Sequence, residues 1–153
     1  MTAGKISIAL VAATGAALAG FLVWNSAAGT TGVLPYTDPA AIAQGETLYA
    51  AHCAACHGAA LEGEPNWREP KPNGRMPAPP HDESGHTWHH PDAQLVEITT
   101  RGTAQLVGGD YESDMMGFGE ILSDAEILAV LAYIKSTWPP RVIDTHNRIN
   151  AGG

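Results

Sequence analysis

The sequence predicts an all-α domain behind an apolar leader, on three observations. Helical periods recur in three stretches, each with its own start or stop signal. No stretch alternates apolar and polar residues with the period of two that a half-buried strand requires. Between the helical stretches the chain is rich in proline and glycine, which suits ordered loops rather than a sheet. With 153 residues, 44% of them apolar and 16% charged, the chain has material for one modest domain plus extras. We divide it into a leader (1–28), a linker (29–36), the domain (37–140) and a polar tail without a strong period (141–153).

The leader runs from Ile6 to Trp24 without a charge and is preceded by Lys5. As a helix rising ~1.5 Å per residue it would be roughly 28 Å long, close to the ~30 Å hydrocarbon core of a bilayer. An N-terminal transmembrane helix is therefore expected. The alternative is a cleaved secretory signal, for which "NSAAG" at 25–29 offers small residues, although the apolar run exceeds the ~7–15 residues usual for such signals. Lys5 before the span, and no basic residue after it until Arg68, place the domain on the far side of the membrane. In a bacterium this means a single-pass inner-membrane protein with its domain in the periplasm, or a soluble periplasmic protein if the leader is cut. Ala12, Ala16 and Gly20 have the spacing that lets a second membrane helix approach, but an alanine-rich segment yields such stripes by chance.

The first domain helix is announced by "TDPAAIAQGETLYAAHCAACH". Asp38 can cap it, Pro39 suits its first position, and Ile42, Gly45, Leu48, Tyr49 and His52 share a face. Residues 62–91 show no helical period, and a loop of that length is usually functional. A second helix opens at Pro91, carries Leu95, Val96 and Ile98, and can stop at Gly102. After a glycine-bearing loop, Ser123 and Glu126 form a capping box ahead of Ile127, Val130, Leu131 and Ile134, and Pro139-Pro140 ends that helix. All sixteen acidic residues lie at or after Asp38, together with seven of the eight basic ones, so the part beyond the leader carries −9. That balance disfavours nucleic acid and anionic lipid as partners.

Both cysteines fall in "CAACHG". Cys53 and Cys56 stand about one helical turn apart and His57 follows four residues after Cys53, so the three side chains can converge on one flat partner. A haem c meets that demand: two thiols form thioethers with its vinyl groups, and the imidazole ligates its iron. One haem per chain, anchored covalently in this way, would also supply core that a small domain lacks. A redox CxxC would follow a strand in a βαβ unit, and none is evident here. A zinc site would need a fourth ligand, for which only His52 is close. A disulfide would close too short a loop to serve as a framework.

The sixth ligand separates electron transfer from chemistry at an open iron, since a thioether fills the site and raises the potential. Met76, Met115 and Met116 are the candidates. The adjacent pair lies in the glycine-bearing loop just ahead of the capped helix, whereas Met76 sits in the proline-rich stretch. Any methionine can also be plain core filler.

From Asp38 to Pro139 the chain resembles a class I c-type cytochrome, of the bacterial membrane-anchored mono-haem kind. The resemblance rests on "GETLYAAHCAACHG", "MPAPPHDESGHTWHHPD" and "YESDMMGFGEILSDAEILAVLAYIKSTWP". It implies the class I cytochrome c fold around one covalently bound haem. Relatives usually read Met-Pro-x-Phe at the ligand, a pattern that falls on Met115, Met116, Gly117 and Phe118. The register makes Met115 the ligand and puts Met116 where proline is customary, so a choice between the two sulfurs stands. The resemblance also implies a close crossing of the first and last helices through Gly45, Tyr49, Val130 and Tyr133. It further implies a proline carbonyl that accepts the axial histidine's second proton, for which "APPH" offers Pro79 and then Pro80.

His81, His86, His89 and His90 cluster around Trp88. Clustered imidazoles suit copper or zinc. No ligand spacing on a defined helix or hairpin supports a closed site, and the plainer expectation is that these rings and the Trp88 indole bond haem propionates or cap the helix at Pro91. The expected function is one-electron transfer between redox proteins, without bond chemistry of its own, and an acidic domain would suit partners with a basic docking surface. Two other readings stand beside it: a haem subunit of a larger membrane oxidoreductase, and a haem enzyme or sensor whose methionine dissociates.

Overall fold

The computed structural model describes residues 33–152, and among them the only regular elements are helices. In chain order these are α1 (Pro39–His52), α2 (Ala54–His57), a 3-10 turn (Thr87–His89), α3 (Asp92–Arg101), α4 (Thr103–Val107), α5 (Asp124–Ser136) and α6 (Pro140–Ala151). One isolated antiparallel bridge, Gly102 with Met116, is the sole strand-like pairing among the described residues. No described helix is long and apolar enough to cross a membrane, and the expected span over residues 6–24 lies outside the described residues.

α1 starts where the sequence says it should. The Asp38 carboxylate accepts from Ala40 N at 2.9 Å, and Pro39 occupies a first-turn position where its missing N–H costs nothing. α5 opens on the complete capping box, with Ser123 Oγ accepting from Glu126 N and the Glu126 carboxylate accepting from Ser123 N at 2.9 Å. The most extensive helix pair is α1 with α5. Gly45 lies against the Ala129 carbonyl and the Tyr133 side chain, and a Cβ at Gly45 would collide with that carbonyl. The glycine therefore sets how closely the two backbones approach, and Tyr49 packs on Tyr133 with ring centroids 5.5 Å apart. The partner at the crossing is thus Ala129 with Tyr133, one residue from the Val130 expected. Val130 instead faces the core with Ile127, Leu131 and Ile134. Ile127 is fully buried, which is worth about 1.5–3 kcal/mol relative to exposure.

The C-terminal stretch differs from expectation. Residues read as a polar tail form α6, and the helix expected to be last is the one before it. Pro139-Pro140 does not simply terminate: α5 ends at Ser136, Pro139 caps α6, and Pro140 stands in its first turn. α6 buries Val142 and His146, packs Ile143 against the core and exposes its charged residues Arg141, Asp144 and Arg148. It joins a buried polar latch. Asp92, at the start of α3, accepts from Val33 N at 2.7 Å, Leu34 N at 3.3 Å and Asn150 Nδ2 at 3.2 Å. Asn150 Oδ1 in turn accepts from Asp92 N at 2.7 Å, and His146 Nε2 donates to the His90 carbonyl at 2.9 Å. Lys135, nearly inaccessible, donates to Asn147 at 2.8 Å and lies 4.2 Å over the Tyr36 ring. Burial pulls its pKa down and nearby Asp92 opposes this. The latch thereby fixes the entry of the domain, residues 33–36, to its last helix.

The loop read after α3 also contains a helix, the five-residue α4. Residues 62–86 do form the long loop the sequence predicts, with the 3-10 turn ahead of α3.

Candidate haem site

α1 delivers the motif with only a slight break. Cys53 N still bonds Tyr49 O at 2.9 Å, His57 N bonds Cys53 O at 2.9 Å, and Gly58, at φ 82°, stops α2. Both thiols are free; Cys56 is exposed and Cys53 partly covered. Burial, and secondarily Cys56, pushes the Cys53 thiol up to about 11. His52, the one ligand considered for a zinc reading, is exposed and rests edge-on to Phe118.

His57 is buried, and its Nδ1 lies 2.8 Å from the Pro79 carbonyl oxygen. A carbonyl only accepts, so Nδ1 carries the proton and Nε2 is left with its lone pair. Burial lowers the His57 pKa, while the bond to Pro79 pushes the other way. A free lone pair on Nε2 is what a metal-ligating imidazole must present. Gly63, at φ 68°, makes this approach possible: its N–H bonds His57 O at 2.7 Å, and a Cβ there would meet the Pro79–Pro80 backbone.

His81 lies against His57, with ring centroids 4.0 Å apart and planes 23° from parallel. It is pinned on all sides. Its Nδ1 is hydrogen-bonded with Thr87 Oγ1 at 2.8 Å, its backbone N–H donates to Leu61 O at 2.7 Å, and its carbonyl accepts from Trp138 Nε1 at 2.7 Å. Burial first and His57 second hold its pKa well below the usual range. His81 thus braces the His57 ring, a role the sequence reading did not give it.

Of the other rings of the cluster, His86 and His90 meet edge-on with centroids 5.4 Å apart, and each also has a partner of its own. His86 stacks on Trp67 at 5.3 Å, His89 stacks on Trp88 at 3.7 Å, and His90 Nδ1 pairs with Gln94 Oε1 at 3.2 Å. Among the described residues no three His, Cys, Asp or Glu side chains converge as a metal site. Trp88 packs on the core edge and donates its indole N–H to Glu83 O at 3.3 Å.

The methionines separate by environment. Met115 is partly buried against the core cluster, whereas Met116 is 56% exposed and Met76 38% exposed. The Met115 segment is tied to the end of α3 and the start of α4: Thr103 N bonds Met115 O at 3.3 Å, Phe118 N bonds Thr99 O at 2.9 Å, and Gly119 N bonds Thr100 O at 3.0 Å. Ser113 Oγ accepts from Met115 N at 3.0 Å.

Two free thiols, a buried imidazole whose Nδ1 is held by a carbonyl and a partly buried thioether make a donor set that fits a haem c. Residues 42–138 match the family described as Cytochrome c, and the chain belongs to it. A cbb3-type cytochrome c oxidase subunit, FixP, of Azorhizobium caulinodans is 29% identical over 94 residues, covering 61% of this chain. The matched stretch spans 28% of that relative's length. Among solved structures, cytochrome cL of the marine methylotroph Methylophaga aminisulfidivorans MPT superposes with a TM-score of 0.52 at 24% identity, covering 96% of this chain and 84% of its own. That likeness bears on the fold.

Proposed function

We propose that this chain is a one-electron carrier whose haem is held by Cys53, Cys56 and His57, with Met115 as the second axial ligand. The observation that carries the reading is the 2.8 Å bond from His57 Nδ1 to Pro79 O directly behind the two free thiols. The haem, when bound, supplies the one-electron iron couple. His57 presents Nε2, Pro79 and His81 fix the ring's tautomer and plane, and the bond to Pro79 raises its basicity. Met115 supplies the soft sulfur that favours the reduced state and fills the position a substrate would need. Met116, on the solvent side, is the spare. The Trp88 indole N–H, a candidate donor to a haem propionate, here donates to the Glu83 carbonyl.

The carrier acts on the periplasmic side of a bacterial membrane, tethered by the apolar span at 6–24, and its acidic domain meets redox partners through a basic patch on their side. The similarity to an oxidase subunit favours a second reading, a haem subunit of a larger membrane oxidoreductase. Gentle detergent purification separates the two: a stable multisubunit complex supports the subunit, and a monomeric chain supports the free carrier.

Replacing both thiols (Cys53→Ala with Cys56→Ala) is expected to abolish haem stain on a denaturing gel, and retained stain would contradict covalent attachment. In the intact protein a redox titration should show a single reversible one-electron step that moves to lower potential in Met115→Ala. Absence of a reversible step would overturn the carrier reading. A mature N-terminus at or near Met1, in the membrane fraction, is expected of the anchor; one near Gly29 would show cleavage.

A further inference from the structure

The loops behind the two candidate ligands are joined by one side chain. Behind His57, the Pro79 strut is fixed by Glu64: Glu64 N donates to Ala78 O at 2.8 Å, and Ala78 N donates to Glu64 Oε2 at 2.6 Å. Lys71 Nζ lies 3.1 Å from that same carboxylate oxygen and 3.4 Å from Asp114 Oδ2. Asp114 immediately precedes Met115. Its other oxygen takes Arg75 Nη1 at 2.6 Å, and Arg75 Nε reaches Glu112 at 3.2 Å. Lys71 and Arg75 come from one turn, closed by Lys71 N to Arg75 O and Gly74 N to Lys71 O, each at 2.8 Å. A continuous path therefore runs from His57 through Pro79, Ala78, Glu64, Lys71 and Asp114 to Met115.

On the reading that His57 and Met115 are the axial ligands, we propose that Lys71 is a positioning residue that ties the Met115 loop to the strut behind His57, so that freeing the methionine requires its ion pairs to open. An isolated surface pair contributes little. Here one ammonium is shared by two carboxylates, and Arg75 holds the second of them in place, so the pairs act as a network. Without Lys71, Glu64 and Asp114 would face each other as like charges, which pushes the loops apart. The Lys71 and Asp114 side chains are 30% and 43% exposed, so salt screens the clamp.

The test uses the oxidised full chain with its haem, titrated with imidazole, which takes the sixth position whenever the methionine leaves. The readout is loss of the sulfur-to-iron charge-transfer band. Lys71→Met should raise the apparent imidazole affinity about three-fold, the size expected for losing a partly exposed pair within a network. Lys71→Arg should behave as the wild type. Asp114→Asn should mimic Lys71→Met, with less than additive effect in the double variant. High salt should bring the wild type toward Lys71→Met. A merely structural role would lower the melting temperature and leave imidazole affinity unchanged. Wild-type affinity in Lys71→Met, while Met115→Ala has lost the band, would overturn the clamp alone; a band that survives Met115→Ala would overturn the ligand reading and the clamp with it.

Discussion

Helices α1 and α5 meet backbone to backbone at Gly45, bury Tyr49 and Ile127 almost completely, and need no ionic contact to do so. Residues 58–86 and 108–117, by contrast, hold no helix among them, yet they contain Pro79, His81 and Met115. These loops are held by hydrogen bonds to their own backbone and by paired charges, such as Glu64 on Ala78 and Arg75 on Asp114. Apolar packing is non-directional and tolerates approximate fit, so it suits a frame. Aiming an imidazole or a sulfur takes directional bonds, which here come from the loops. The frame should therefore fail by unfolding, and the loops by misplacing a ligand in a protein that stays folded.

Breaking the frame should have the largest effect. Gly45→Ala forces a methyl into the Ala129 carbonyl, and we expect about 3 kcal/mol of lost stability, because neither helix backbone can yield alone. Chemical denaturation checks this; a loss under about 0.5 kcal/mol, typical of a surface substitution, would show that the crossing is looser than described. Asp92→Asn should follow, with about 2 kcal/mol lost as two backbone N–H groups lose a charged acceptor. Because Asp92 itself joins α6 to residues 33–34, and the latch reaches the candidate ligands only indirectly, from His146 to Trp138 to His81, the iron spectrum of this variant should be unchanged at temperatures where it is folded. A changed spectrum would tie the latch to the site. The smallest effect concerns the −9 balance beyond the leader. The rate of electron transfer to a basic partner, measured by stopped flow at limiting concentration, should fall as salt rises and screening shortens to about 8 Å at 0.15 M. A rate that climbs with salt would mean an acidic partner.

The parts legible in the sequence were those with local signals. Asp38-Pro39 and Ser123 with Glu126 mark helix starts within four residues, and Cys53, Cys56 and His57 are a motif in themselves. α6 was not legible, because a proline pair serves equally as the end of one helix and the first turn of the next, and because His146 and the latch asparagines interrupt its few inward apolar residues. The contact between His57 and Pro79 came from resemblance, since nothing local pairs residues 22 apart. Lys71 and Asp114 are 43 apart, and His81 against His57 depends on how a loop without periodicity folds. In the fold His81 leaves the histidine cluster for His57, while His86 and His90 stay edge-on to each other.

X-ray absorption at the iron of the oxidised full chain reads the ligand set directly. The account predicts one sulfur beside nitrogen ligands, with the sulfur lost in Met115→Ala and kept in Met116→Ala. An all-nitrogen shell in the wild type, or a sulfur that survives Met115→Ala and disappears in Met116→Ala, would contradict it.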